Sequence, residues 1–326
     1  MTEDGARLAV ERLERSTRAL LTGHRRPDGD SLGSELALAE LAGALGVATV
    51  VINHDVAPPS LADLPGAASV VVSTTLPDDF PDAFDLVVTL ECPSVDRTGF
   101  EGLDQRPILN IDHHPANPRF GDVNYVDDEA PAVGEMVWRM FKTAGVRPTP
   151  SAATNAYVAL STDTGDFRYS NATPRAFVAA AEMVQAGARP AQVAEWIHGR
   201  KNAASIRLLA EALNTLRFEL GGRIAILEVD QEAFARSGAR PEDTEEIINF
   251  PRSINGVQAV AFLKQWESGV VRISLRSTGD VDVRQVAAEF GGGGHNKASG
   301  CTLNGDLEEA RRLVTEALVR AVDATP

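Results

Sequence analysis

The chain has 326 residues, 44% of them hydrophobic and 24% charged, with a formal net charge of −15. That length predicts two domains with real cores. The negative balance argues against a protein that coats duplex nucleic acid through a basic face, and no apolar run reaches the roughly 18 residues of a membrane helix. The start, MTEDGARLAVERLERS, is acidic and polar and lacks the apolar stretch of a signal peptide. Two cysteines, Cys92 and Cys301, stand far apart without metal-type spacing and read as free thiols in a reducing cytoplasm.

Along the chain, the apolar stretch RALLTG is followed by HRRPDGDSLGS, which puts His24, Asp28 and Asp30 within seven residues. SLGSELALAELAGALG (31–46) then predicts a helix, with Ser31 as N-cap and Gly46 as its stop. VATVVIN (47–53), ASVVVS (68–73), FDLVVTLE (84–91) and RPILNID (106–112) are rich in Val and Ile and predict buried strands. Alternation of such runs with helical patterns points to βαβ units: an α/β fold with a mostly parallel sheet flanked by helices in the N-terminal domain. Further helices are expected near 132–145, 151–162, 174–187 and 190–199. GRKNAA (199–204) is polar and separates two patterns, which divides the chain into residues 1–199 and 200–326. Beyond it, a helix near 203–216 is expected. Strand-like runs at 221–230, 257–265 and 269–277 with hairpin-type breaks follow, then helices near 282–290 and 306–322. These predict a smaller α+β C-terminal domain.

Open α/β sheets bind ligands at the C-terminal ends of their strands. Polar groups stand at four suggestive places: His24, Asp28 and Asp30; Glu91 after DLVVTL; Asp112, His113 and His114 after ILNI; and Asp163 in STDTGDFRYS. Taken singly, a strand-end Asp is a helix cap or a turn former, and PDGD is good turn chemistry. Together they describe a histidine and carboxylate set without cysteine, which suits Mn²⁺, Mg²⁺ or Zn²⁺. Two such ions sharing a carboxylate are the usual arrangement for in-line attack on phosphorus.

HRRPDGDSLGS, the IDHH tetrad at 111–114, STDTGDFRYS at 161–170 and ISLRSTGDVDVRQVAAEFGGGGHNKASG at 273–300 resemble, in order, the motifs of the DHH superfamily of phosphoesterases and its associated C-terminal domain. Within it the chain is most similar to NrnA-type enzymes, which hydrolyse short oligoribonucleotides and 3′-phosphoadenosine-5′-phosphate. The resemblance implies two divalent ions, manganese before magnesium or zinc. His24 and Asp28 would hold the first, and Asp30, His113 and Asp163 the second. Glu91 stands where the family has a bridging aspartate. Asp112 would orient a histidine ligand through its ring N–H, and His114 would bind the substrate phosphate or protonate the leaving oxygen. A water with its pKa lowered by the metals would be the nucleophile. Glu91 keeps the charge of an aspartate but adds a methylene where roughly 1 Å of misplacement can cost about 100-fold in rate.

In FGGGGHNKASG, bare backbone at Gly292, Gly293 and Gly294 lets N–H groups approach an anion closely, with His295 and Lys297 adding charge; composition alone also allows a flexible loop. The resemblance favours anion binding, because the C-terminal domain of these enzymes grips the substrate. Arg252 and Arg276 are candidate phosphate clamps, with Ser253 and Ser277 following them, and Arg97 after Glu91 is a further candidate. The expected substrates are short RNA oligonucleotides or nucleotide bisphosphates held in a cleft between the two lobes, without long duplex nucleic acid or membrane as partner; a homodimer is implied by the resemblance alone. Cyclic dinucleotides are an alternative substrate. A nucleotide-binding regulator with an impaired metal site, for which Glu91 is the motive, and a purely structural α/β protein are the non-enzymatic alternatives.

Overall fold

A computed structural model describes every residue except Met1, Ala116, Arg200, Lys201, Glu245, Thr325 and Pro326. Its contacts divide the chain into two units, Met1–Arg200 and Lys201–Pro326. The linker reading at 199–204 includes Arg200 and Lys201, which lie outside the described residues.

The first unit runs α1 (Thr2–Glu14), β1 (Arg18–Thr22), α2 (Gly29–Ala44), β2 (Ala48–Asn53), β3 (Val71–Val72), β4 (Leu86–Leu90), β5 (Ile108–Asp112) and β6 (Val123–Val126). Four helices follow: α3 (Val133–Thr143), α4 (Pro150–Asp163), α5 (Pro174–Gln185) and α6 (Pro190–His198). Among the described residues the strands form one parallel sheet in the order β3-β2-β1-β4-β5-β6. Both faces are covered, which is why these strands read as continuous apolar runs. Leu20, Ile52, Val87 and Ile108 enter a core with Phe84, Phe100 and Leu103, while Leu21, Val51, Val88 and Leu109 enter the opposite one with α1, α2 and α3. The strand order reverses between β1 and β4. Loops leaving there part to opposite sides, and the crevice at their C-terminal ends is the expected ligand position.

Helix α4 runs antiparallel to α2, with Gly29 against Thr162 and Gly33 against Asn155 and Ala159. A Cβ at Gly33 would stand 2.5 Å from the Asn155 carbonyl oxygen, so only glycine permits this approach. The close contact brings the start of α2, with Asp30, to the end of α4, with Asp163.

Two local expectations change. Asp28, not Ser31, caps α2: its Oδ1 accepts from the Asp30 and Ser31 N–H groups, each at 3.0 Å, and the Ser31 hydroxyl donates to Glu35 instead. The buried strand expected at 68–73 shrinks to Val71–Val72, which is exposed because it lies at the sheet edge with only β2 beside it. Two elements of the first unit were not anticipated. They are the short β6 and helix α1, whose Ala6, Ala9, Val10 and Leu13 form a buried stripe at helical spacing.

The second unit contains α7 (Ala203–Asn214), β7 (Arg217–Glu219), β8 (Ile224–Val229), α8 (Gln231–Ser237), α9 (Asn249–Arg252), β9 (Ala259–Glu267), β10 (Val270–Ser277), α10 (Val283–Glu289), β11 (Gly293–His295), β12 (Ala298–Asn304) and α11 (Leu307–Asp323). Among the described residues the sheet order is β11-β12-β10-β9-β8-β7. Ile226, Ala261 and Leu263 pack against α10 and α11, and Leu227, Val260 and Phe262 against α7 and α8. β9 and β10 form the expected hairpin, but β8 and β9 are parallel. The break between them is therefore a crossover carrying α8 and α9. The glycine-rich segment is also more ordered than a flexible loop, since β11 pairs with β12 at the sheet edge.

Cys92 and Cys301 are free and buried. No helix among the described residues is long and apolar enough to cross a membrane.

Candidate metal centre

The loop after β1 supplies His24 and Asp28, and the first turn of α2 supplies Asp30. His24 Nδ1 lies 2.7 Å from the Arg25 carbonyl and donates to it, which turns Nε2 toward Glu91 Oε2 at 3.1 Å and Asp28 Oδ2 at 3.8 Å. Asp28 uses its other oxygen to cap α2. Asp30 is buried beneath the start of α3. Its oxygens accept from the Val133 N–H at 2.8 Å, the Gly134 N–H at 2.9 Å and the Ser34 hydroxyl at 3.0 Å.

His113 follows β5. Its Nδ1 donates to the Ala130 carbonyl at 3.1 Å, and its Nε2 lies 3.9 Å from both Asp30 Oδ2 and Asp163 Oδ2. Glu91 follows β4 with φ 55, a left-handed conformation that costs an L-residue about 1–2 kcal/mol. Its carboxylate is buried and still reaches His24 despite the different side-chain length.

Ligand-type atoms lie within 4.8 Å of one another in three triads: His24, Asp28 and Glu91; Asp30, His113 and Asp163; and Glu91, His113 and His114. Glu91 and His113 each belong to two of them, so the triads are adjacent and share members. Asp112 is wholly buried and accepts from His114 Nδ1 at 2.8 Å, so the histidine it orients is His114, while a backbone carbonyl holds His113.

The cluster is short of positive charge. Burial pushes the Glu91 carboxyl well above the ordinary range, and the charge of Asp28 adds to it. Burial likewise raises Asp30, and burial and the neighbouring Asp30 push Asp163 up to about 7. Burial opposes a charge on His24, yet its contacts with Asp28 and Glu91 win and push it up to about 11. Asp112 goes the other way: against its burial, the hydrogen bond from His114 holds it below the usual carboxylate range.

The donor set fits divalent ions. It is all nitrogen and oxygen, the chemistry of Mn²⁺, Mg²⁺ and Zn²⁺. Donors about 2.1 Å from one ion stand roughly 3–4.2 Å apart, and the four histidine–carboxylate separations of 3.1, 3.8, 3.9 and 3.9 Å lie in that window.

Sequence reasoning missed the residues behind these groups. Glu35 is fully buried, accepts from Asn53 Nδ2 at 2.7 Å and from Ser31 Oγ at 3.2 Å, and burial pushes its carboxyl up to about 8. Asn53 in turn accepts from the Gly23 N–H at 3.3 Å and so ties down the backbone before His24. Asn117 donates to Asn110 at 2.7 Å and to Asp112. Asn171 donates to Asp163 at 3.3 Å. Glu35 lies in a helical pattern where a carboxylate reads as solvent-facing, so nothing in the sequence marked it.

In the second unit, Arg276, Ala298 and His295 form one row across β10, β12 and β11, so Arg276 and His295 share a face of the sheet. Ser277 is buried and donates to the Val281 carbonyl at 2.7 Å, and Lys297 donates to the same carbonyl at 3.0 Å. Gly293 and Gly294 lie in β11 with Gly292 just before it. Arg252 ends α9, half-buried, and the exposed Ser253 donates to the Phe250 carbonyl at 2.7 Å. Arg97 is exposed in a 3-10 turn after β4.

Residues 18–162 match the DHH family, N-terminal domain, and residues 221–320 match the DHHA1 domain. A Thermus thermophilus protein named bifunctional oligoribonuclease and PAP phosphatase NrnA is 33% identical over 298 residues, covering 90% of this chain and 87% of that one. The chain belongs to the DHH family. Its DHH fold is shared by an exopolyphosphatase-related protein from Bacteroides fragilis, at TM-score 0.88 and 24% identity over 96% of both chains. Exonuclease RecJ bound to manganese is more distant, at TM-score 0.53 and 16% identity over 98% of this chain and 94% of that one. The DHH match contains every member of the three triads except Asp163, which follows it immediately.

Proposed function

We propose that this protein is a two-metal phosphoesterase that hydrolyses short oligoribonucleotides and 3′-phosphoadenosine-5′-phosphate. The observation that carries the reading is the set of overlapping triads at the reversal point of the parallel sheet, in a chain one-third identical to a relative named for both activities.

His24 and Asp28 would hold one ion and Asp30, His113 and Asp163 the other, and Glu91, a member of two triads, would serve as a ligand beside them. Manganese is the preferred ion, with magnesium or zinc as substitutes. Bound there, the ions would lower the pKa of a water and polarise the phosphoryl oxygens. The chain's own contribution is orientation. The carbonyls of Arg25 and Ala130 fix the two histidine rings with Nε2 inward, and two backbone N–H groups fix Asp30. Asp112 holds His114, which binds the phosphoryl group or protonates the leaving oxygen.

Residues 1–199 act as the catalytic domain and residues 200–326 as the substrate-binding domain. There Arg252, Arg276 and His295 supply positive charge and Gly292–Gly294 supply backbone N–H groups. Two free buried thiols accord with a cytoplasmic location.

Purified protein with Mn²⁺ is incubated with a 5′-labelled dinucleotide and with 3′-phosphoadenosine-5′-phosphate. Release of mononucleotide and of inorganic phosphate is expected. Nucleotide binding without hydrolysis under Mn²⁺, Mg²⁺ and Zn²⁺ overturns the reading in favour of a regulator.

A further inference from the structure

Beside the candidate metal centre lies an arginine whose side chain the roles above do not use. Arg25 directly follows His24 and is exposed, yet its side chain is held by His54 and lies against Gly99, which come from two other loops. Its Nη2 donates to His54 Nε2 at 3.2 Å. His54 presents a lone pair there because its Nδ1 donates to Asp55 Oδ1 at 2.8 Å, and the other Asp55 oxygen accepts from the Arg26 N–H at 2.9 Å. Its backbone is tied down as well: the Arg25 main-chain N–H donates to the Arg97 carbonyl at 2.7 Å. Arg25 lies across Gly99, where φ is 83 and a Cβ would stand 2.5 Å from Arg25 Nε and 2.8 Å from His54 Cδ2.

Among the described residues, no carboxylate comes within 4.0 Å of the Arg25 guanidinium. An exposed arginine ordinarily keeps its rotamer freedom. This one is held by His54, and although its charge helps to lower the nearby Asp55 carboxyl, no carboxylate pairs with its guanidinium directly, so the fork stays open to a ligand. It sits at the C-terminal ends of β1, β2 and β4, where ligands of such sheets lie. A planar guanidinium held this way matches a phosphate bidentately, and ordering it beforehand reduces the cost of binding.

We propose that Arg25 binds a second phosphate of the substrate, the one that is not hydrolysed. The site thereby distinguishes molecules with two phosphates, such as oligonucleotides and nucleoside bisphosphates, from simple one-phosphate esters. This rests on the phosphoesterase reading. His54 acts as a positioning residue for Arg25.

The test measures kcat/KM with Mn²⁺ for 3′-phosphoadenosine-5′-phosphate and for bis(p-nitrophenyl) phosphate, which has one phosphate, and takes the ratio. Arg25→Ala is expected to lower that ratio about 10- to 100-fold, mainly through KM for the two-phosphate substrate. Arg25→Lys restores part of it, because an ammonium is a point charge without the fork. His54→Ala lowers it less than Arg25→Ala. Thermal unfolding of each variant, unchanged from wild type, shows that the loss is local. A ratio within twofold of wild type in Arg25→Ala overturns the proposal. If wild type hydrolyses neither compound, the phosphoesterase reading fails by itself, and calorimetry decides the subsite. Wild type should then prefer 3′-phosphoadenosine-5′-phosphate over adenosine 5′-monophosphate and Arg25→Ala should lose that preference; an equal preference in both proteins overturns it.

Discussion

Replacing Asp163 by Asn should make the metal-free protein more stable while removing its response to metal. Burial, with the charge of Asp30 behind it, pushes the Asp163 carboxyl up to about 7, against about 3.9 in an unfolded chain. A carboxyl raised on folding contributes stability that is fully present below its unfolded pKa and is lost as pH rises through the folded one. The gap is roughly three pH units at about 1.36 kcal/mol each. Without a cation, ionised Asp163 therefore costs the fold up to about 4 kcal/mol above pH 7. Asparagine cannot ionise, and it keeps an oxygen for the Asn171 amide that now donates to Asp163 at 3.3 Å. In chelator at pH 8, urea unfolding followed by the fluorescence of Trp138 and Trp196 should show D163N about 1–4 kcal/mol more stable than wild type. The gain should shrink to about 0.5 kcal/mol at pH 4, where the folded carboxyl is protonated and the unfolded one is about half ionised. Adding Mn²⁺ should raise the Tm of wild type much more than that of the variant. A variant no more stable than wild type at pH 8, or a gain of the same size at both pH values, refutes the claim that Asp163 is an uncompensated charge awaiting a cation.

Glu91→Asp should lower Mn²⁺-dependent turnover about 100-fold, because the native carboxylate already reaches His24 at 3.1 Å and the shorter side chain falls short; increased steady-state turnover would show instead that glutamate impairs the site. Gly33→Ala should destabilise the first unit by about 1–3 kcal/mol and weaken metal binding, since the new methyl meets the Asn155 carbonyl and pushes α4, with Asp163, away from α2. Urea unfolding and metal titration read both effects, and unchanged stability contradicts the packing argument. Mn²⁺ affinity should strengthen with pH, about tenfold per unit for each proton displaced, because the protons held by His24 and Asp163 must leave when the ion binds. A Kd unchanged between pH 6 and 8, measured by calorimetry, contradicts this.

Much of the first unit was legible because parallel strands covered on both faces leave unbroken Val and Ile runs, as in LVVTL and ILNID. The clustering of histidines and carboxylates was legible because several of them, His24, Glu91 and His113 among them, stand just after such runs. Much of what failed was set by neighbours distant in sequence, though the α2 cap was a local misreading. Val71 and Val72 have the composition of a buried strand but lie exposed at the sheet edge. The parallel pairing of β8 with β9 depends on a crossover of short helices whose pattern is weak. Ser31 has the chemistry of an N-cap, but Asp28 occupies that position and frees Ser31 for Glu35. Glu35, Asn53 and Asn171 act through contacts across the fold, and no local spacing announces them. Arg25 was hidden for the same reason: its neighbours His54 and Gly99 come from two other loops.

The central claim is that this cluster of histidines and carboxylates exists to hold two divalent ions. Crystals grown without metal and soaked in Mn²⁺ test it most directly by anomalous diffraction. Two peaks are predicted, one against His24 and Asp28 and one against Asp30, His113 and Asp163, with Glu91 touching both. No anomalous density among these six residues would contradict the account.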